Sequence, residues 1–372
     1  MTGGVGFGVF SVAGDEPRVG FRVGHGVLDL ATAGLGAVFN ASSLNSFLAL
    51  GRSTWEDTLA RVDQLVTSGA EIIPLEQATT HLPIDVGDYV DFYSSLEHAT
   101  NLGRLFRPDA EPLLPNWRHL PVGYHGRGGT VVVSGTPLVR PCGQAKAPND
   151  PAPRFGPSRR LDIELELGFV VGAGSRLGKP VPASAFRDHV FGVVLVNDWS
   201  ARDIQAWEYQ PLGPFLGKSF ATSIAAWVTP LALLEDRFVP SPKQDPEPLP
   251  YLCIAGDWAL DIELEVELSG TVVSRTNASG LYWTMPQQLA HATVNGASIA
   301  TGDLFASGTI SGPEHGTEGS LIELTSNGAR PIRLGDGSTR TFLEDHDEVV
   351  LRGRAGELEL GEVRGTILPA GV

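Results

Sequence analysis

The alternation of apolar and polar residues along the chain predicts many short strands and few long helices. Val5 to Val12, Pro17 to Val23 and Gly26 to Leu30 are apolar runs divided by Gly, Asp and Pro, the pattern of strands joined by tight turns. A helix follows, because Trp55, Leu59, Val62 and Val66 recur at helical spacing. Ser53 and Glu56 have the spacing of a capping box at its start, and Gly69 stops it. Tyr89 to Tyr93 alternates like a strand. Ser94 with Glu97 repeats the capping-box spacing, so a second helix should begin there with His98 on its first turn. Val193 to Val196 reads as a buried strand. Tyr282 to Asn295 reads as a helix begun at Thr284 and Gln287. Leu304 to Leu324 reads as strand, Gly-rich turn and returning strand.

Three segments alternate acidic and apolar residues with period two. In LDIELELGF (Leu161 to Phe169), Asp162, Glu164 and Glu166 fall on one face of a strand, about 6 to 7 Å between neighbours. Like charges that close repel unless they are solvated or neutralised, and a hard divalent cation would neutralise them. LDIELEVEL (Leu260 to Leu268) and GELELGE (Gly356 to Glu362) carry the same pattern. Three such strands do not all make metal sites, and acidic outer faces on sheet edges are ordinary. Periodicity alone does not choose among them.

Composition narrows the class. Hydrophobic residues are 42% of the 372, with 45 Gly and 27 Pro spread without a period, as in a turn-rich globular protein. No apolar run approaches the roughly 20 residues that span a bilayer. The opening MTGGVGFGVF lacks the basic-then-apolar order of a secretory signal. Cys142 and Cys253 lie far apart with no CxxC, which fits the reducing cytoplasm and excludes a thiolate metal site. A net charge of −16 repels nucleic acid, and neither nucleic acid nor a membrane is an expected partner. An anionic small molecule stays admissible where a few cationic groups reverse the local sign.

Candidate chemistry is densest from Val193 to Thr222, where a buried strand empties into Asn197, Asp198, Trp199, Arg202, Asp203, Gln205, Tyr209 and Lys218. Singly, Arg202 and Asp203 fit a surface pair and Asp198 a turn cap; as a cluster they fit a site. Asp198 could hold a cation, with Arg202, Gln205 and Lys218 donating to a developing negative charge. Asp91 ends a strand close to the turn that carries His98, a reasonable general base, although a lone histidine most often packs against its helix. Arg107 is a candidate carboxylate clamp or an ordinary surface Arg. Tyr124 is presented by a Gly-rich loop. Thr309 sits in a turn where it could touch a ligand, and Glu323 on the returning strand could hold an imidazole in one tautomer.

DFYSSLEHATNLG, PNWRHLPVGYHGR, LDIELE, NDWSARDIQAWEYQPLGPFLGKSF, YWTMPQQLAH and ASGTISGPE occur in order along nearly the whole chain. With them the sequence resembles the fumarylacetoacetate hydrolase family. The resemblance implies a mostly β fold with some α: an N-terminal SH3-like barrel over residues 1–84 and a catalytic domain of rolled, mixed β-structure over 85–372. It implies a homodimer that cleaves a carbon–carbon bond of a small dianionic diketo acid. Asp91, Glu164, Glu166 and Asp198 become ligands of a divalent cation, Ca2+ or Mg2+, with Lys218 and Thr222 beside a further cation or the adjoining site. His98 becomes the base and Glu323 its orienting carboxylate. Arg202, Gln205 and Lys218 support the reacting oxygens, and Tyr93, Arg107, Tyr124, Gln205, Tyr209 and Thr309 contact the substrate. Leu96-Glu97 and the PEHGTEG segment after Gly312 depart from the familiar pattern, while every implied ligand is present.

Overall fold

A computed structural model of the chain describes residues 3–147 and 149–371. Its frame is a run of seven strands within a larger mixed sheet of 18 among the described residues. In spatial order they are Gly123–His125, Tyr89–Phe92, Leu304–Ala306, Leu165–Val171, Val190–Asp198, Thr222–Ile224 and Val131–Val133. Leu304–Ala306 runs parallel to Tyr89–Phe92, and Thr222–Ile224 parallel to Val131–Val133; the other pairs are antiparallel. The two edge strands follow one another in the chain. A linker from Gly126 to Thr130 reaches about 21 Å at most, whereas seven flat strands would stand about 29 Å apart edge to edge. The sheet must therefore curl, and Thr130 Oγ1 donating to Ser219 O at 2.9 Å helps to hold the curl.

The central strands are covered on both faces, since Leu165–Val171 and Val190–Asp198 are buried at every position. Phe169 stacks on Phe305 with ring centroids 5.0 Å apart. Their depth is what makes charged residues at the strand ends costly unless partnered.

The N-terminal residues form strands Gly3–Val12, Arg18–Val23, Gly26–Asp29, Ile73–Pro74 and Ala78–His81, paired antiparallel. They do not stand apart from the rest. Gly3–Val12 also pairs with Trp227–Pro230 and runs parallel to the C-terminal strand Leu358–Leu368. That last strand pairs with Glu348–Ala355, which pairs with Glu263–Leu268.

Several local expectations need correction. The first long helix spans Arg52–Thr67 and is entered from Gly51, so Ser53 lies inside it and no capping box forms with Glu56. The helix carrying His98 spans Leu96–Phe106, and its N-cap is Ser95. Ser95 Oγ accepts from the His98 backbone N–H at 3.2 Å. The Ser94 hydroxyl instead accepts from Gln288 Nε2, and its N–H donates to Ser307 O. Thr284 and Gln287 do form a capping box, on helix Met285–Thr293. Glu323 lies in a four-residue helix, Leu321–Leu324, rather than on a returning strand.

Candidate active site

Four strand ends meet at one side of the curled sheet. Asp91 is on Tyr89–Phe92, Glu164 and Glu166 flank the start of Leu165–Val171, and Asp198 closes Val190–Asp198. One carboxylate oxygen from each lies within 4.8 Å of the other three, and all four residues are buried. The two look-alike segments behave differently. Glu263, Glu265 and Glu267 sit on the more exposed face of their strand, and Glu265 and Glu267 pair with Arg352. Glu357 and Glu359 are exposed.

Cations balance only part of this charge. Lys218 Nζ lies 2.5 Å from both Glu164 Oε2 and Asp198 Oδ2. Arg202 reaches Glu164 Oε1 at 2.7 Å through Nη1 and Asp162 Oδ2 at 2.8 Å through Nε. Arg202 is thus buried away from Asp203, which instead pairs with Arg154 and accepts from Ser158. Burial would raise Glu164, but Lys218 and Arg202 outweigh it and bring it down to about 2. Asp91 and Glu166 are driven well above the carboxylate range, first by burial and then by the carboxylates beside them. Burial disfavours charge on Lys218, yet Asp198 and Glu164 raise it overall.

The donor set fits a divalent cation. Asp91 Oδ1 and Glu166 Oε1 are buried with no partner among the described residues. Oxygen-only ligands with surplus negative charge suit a hard ion. Glu166 Oε2 is held by the Gly308 N–H at 3.0 Å. Tyr124 donates to Asp198 at 2.8 Å and to Asp91 at 3.2 Å, and Tyr89 donates to Asp91 at 3.1 Å. Thr222 Oγ1 lies 3.3 Å from Asp198 Oδ1.

Beside this cluster His98 Nδ1 meets Glu323 Oε2 at 2.6 Å, both buried. Glu323 accepts further bonds from Asn101, Ser311 and Ser320. Burial opposes its ionisation, but His98 and those donors hold its carboxyl below the usual range. Tyr93 packs edge-on against His98, ring centroids 5.3 Å apart. Gln205 accepts from Arg202 at 3.2 Å. Thr309 Oγ1 is buried and unpartnered among the described residues. Arg107 caps its helix and donates to Pro112 O, its Nε buried without a partner among the described residues. Tyr209 is the exception: it is exposed, and its hydroxyl bonds to nothing among the described residues.

A cavity of about 150 Å³ opens on this site, lined by Tyr89, Tyr124, Asp198, Phe215, Lys218 and Thr222. A larger groove, about 1170 Å³, follows the N- and C-terminal strands and touches the site only near Glu97 and Ser311. The smaller one borders the carboxylate cluster, through Asp198 and Lys218. Sequence reasoning missed the supports: Asp162 on Arg202, the serines and Asn101 on Glu323, and Tyr89 on Asp91. Asp162 and Asn101 act across 40 and 222 residues, which nothing local in the sequence marks, whereas Tyr89 and Ser320 lie two and three positions from the carboxylates they serve.

A curled, mixed β-fold with carboxylates gathered for a hard cation beside a buried His–Glu pair defines a class of metal-assisted hydrolases. Within it, the chain belongs to the fumarylacetoacetate hydrolase family. The family model for the fumarylacetoacetate hydrolase C-terminal region matches residues 89–368, and that for the fumarylacetoacetase N-terminal region matches residues 5–83. The chain is 47% identical to fumarylacetoacetase from Homo sapiens, over 98% of this chain and 95% of that one. Among solved structures it resembles fumarylacetoacetate hydrolase from psychrophilic Exiguobacterium antarcticum (TM-score 0.58, 16% identity, 98% and 99% covered). It also resembles maleylpyruvate hydrolase from Sphingobium sp. SYK-6 in complex with manganese(II) ion and pyruvate (TM-score 0.57, 15% identity, 98% and 99% covered). At those identities the likeness is one of fold.

Proposed function

We infer that this chain hydrolyses the carbon–carbon bond of 4-fumarylacetoacetate to fumarate and acetoacetate, the last step of tyrosine and homogentisate breakdown. The observation that carries the reading is the buried four-carboxylate cluster with Arg202 and Lys218 against it, in a chain 47% identical to human fumarylacetoacetase. Asp91, Glu164, Glu166 and Asp198 would hold the cation, calcium or magnesium, which supplies Lewis-acid charge at the diketone.

The remaining steps belong to the chain's own side chains. His98, its Nδ1–H donated to Glu323, takes a proton from water at Nε2 as the oxygen attacks the carbonyl beside the fumaryl group. Arg202, Lys218 and the Gln205 amide stabilise the resulting oxyanion, each such contact worth about 3–4 kcal/mol of barrier. Collapse breaks the carbon–carbon bond, the electron pair passes into the acetoacetate carbonyl system, and the proton on His98 returns to carbon. Arg107, Tyr93, Tyr124, Tyr209 and Thr309 hold the substrate's ends, Arg107 gripping a carboxylate in two places. Such cations let an acidic protein take a dianion.

Two further parts of the reading concern organisation. Residues 1–84 form an SH3-like unit and 85–372 the catalytic domain, a division supported by family models that part between 83 and 89. The working form is a cytoplasmic homodimer, as the family resemblance implies.

An absorbance assay following loss of the diketone tests the activity. Wild-type protein should consume fumarylacetoacetate in preference to acylpyruvates, and His98→Ala should abolish turnover while binding the cation as before. Substantial hydrolysis by His98→Ala would remove His98 from the base role; a preference for acylpyruvates would move the chain to another branch of the family.

A further inference from the structure

Asp162 is fully buried, and every lone-pair direction it offers is in use. Its Oδ2 accepts from Arg202 Nε at 2.8 Å and from the Ile322 N–H at 3.1 Å. Its Oδ1 accepts from the Leu321 N–H at 2.7 Å and the Ile163 N–H at 2.8 Å. Leu321 and Ile322 open the four-residue turn that carries Glu323. One carboxylate therefore touches the guanidinium that faces the oxyanion and the backbone that aims the base's partner. Arg202 and Glu323 are 121 residues apart in sequence, and Asp162 lies on neither segment.

We propose that Asp162 is a positioning residue that sets Arg202 and, through the N–H groups of Leu321 and Ile322, the Glu323–His98 pair, so that the two arms of the site move as one. A helix start this short has few bonds of its own, so its orientation depends on whatever accepts its first N–H groups. An Arg Nε fixed by a carboxylate likewise leaves the guanidinium fork only one plane in which to meet Glu164 and the substrate. Outer residues that aim a catalytic group typically carry 10–100-fold in activity. The inference rests on the proposed roles of Arg202 and His98, and its test separates the two.

The experiment uses the full chain loaded with calcium or magnesium. Asp162→Asn is nearly isosteric and retains one acceptor oxygen. It should lower kcat about 10–100-fold with KM changed less than about twofold. In a background already carrying Arg202→Gln and Glu323→Gln, the same change should cost almost nothing more, because both arms are gone. A kcat within about twofold of wild type, or an undiminished cost in the double background, overturns the proposal. A second readout needs no turnover and no change at Asp162. The His98 Nδ1 proton, in its short bond to Glu323, should give a proton resonance downfield of the amides. Arg202→Gln should shift it, since Arg202 and Ile322 share Asp162 Oδ2; an unmoved resonance overturns the proposal even if Asp162→Asn does not fold. Were the wild type inactive on fumarylacetoacetate, the proposed reaction would fail while this resonance still decided the coupling.

Discussion

Glu323 takes bonds from His98, Asn101, Ser311 and Ser320, so its carboxylate has no freedom to turn away from the imidazole. Glu323→Gln keeps the shape but brings an NH2 group among donors, and His98 loses either its partner or its tautomer. The kcat should fall on the order of 10,000-fold, with KM and cation affinity within about twofold, as seen by steady-state assay and calorimetry. A smaller loss would mean the imidazole is held by something other than this carboxylate. At this scale the sequence was readable for residue types but not for partners. Arg202 beside Asp203 reads as a surface pair, whereas Arg202 turns inward to Asp162 and Glu164, about 40 positions back. Tyr209, expected at the substrate, is exposed.

Elements decide which acidic strand becomes a site. LDIELE, LDIELEVEL and GELELGE share one alternation, yet only the first lies between two fully covered neighbours, Val190–Asp198 and Leu304–Ala306. That neighbourhood is set by long-range pairing, which period-two patterning does not encode. The strands around Val5 to Leu30 and Val193 to Val196 are legible because those runs are continuous and apolar. Helix starts were less so: two adjacent serines offer the same cap, and in the fold Ser94 takes the Gln288 amide while Ser95 takes the His98 N–H. A turn of four residues around Glu323 is too short for any helical period to register. Gly308 ties the Leu304–Ala306 strand to the site, for its φ is +78° and a Cβ would lie 2.1 Å from Phe92 O. Gly308→Ala should therefore destabilise the fold by more than about 1 kcal/mol. It should also weaken cation binding, because the Gly308 N–H holds Glu166; unchanged affinity by calorimetry would show that this bond does not position the ligand.

For the whole molecule, curling the sheet concentrates charge that the open strands would keep apart, and this links folding, protons and cation. In the cation-free fold Asp91 and Glu166 keep their protons above the pH at which an unfolded chain would release them. The folded state then binds more protons than the unfolded one, so this part of the stability is largest at low pH and is lost as pH rises through the folded-state values. A cation needs both groups ionised, so it displaces their protons and binds more tightly as pH rises. A cation at a hundred times its Kd adds about 2.7 kcal/mol of stability. Thermal melts with chelator and with excess calcium or magnesium should thus diverge as pH climbs from about 5 to about 8, the chelated protein losing ground. Calorimetric titration in buffers of different ionisation enthalpy should reveal protons released per cation bound. A gap between the two melts that stays constant across that range, with no protons released, would place the cation elsewhere than among Asp91, Glu164, Glu166 and Asp198.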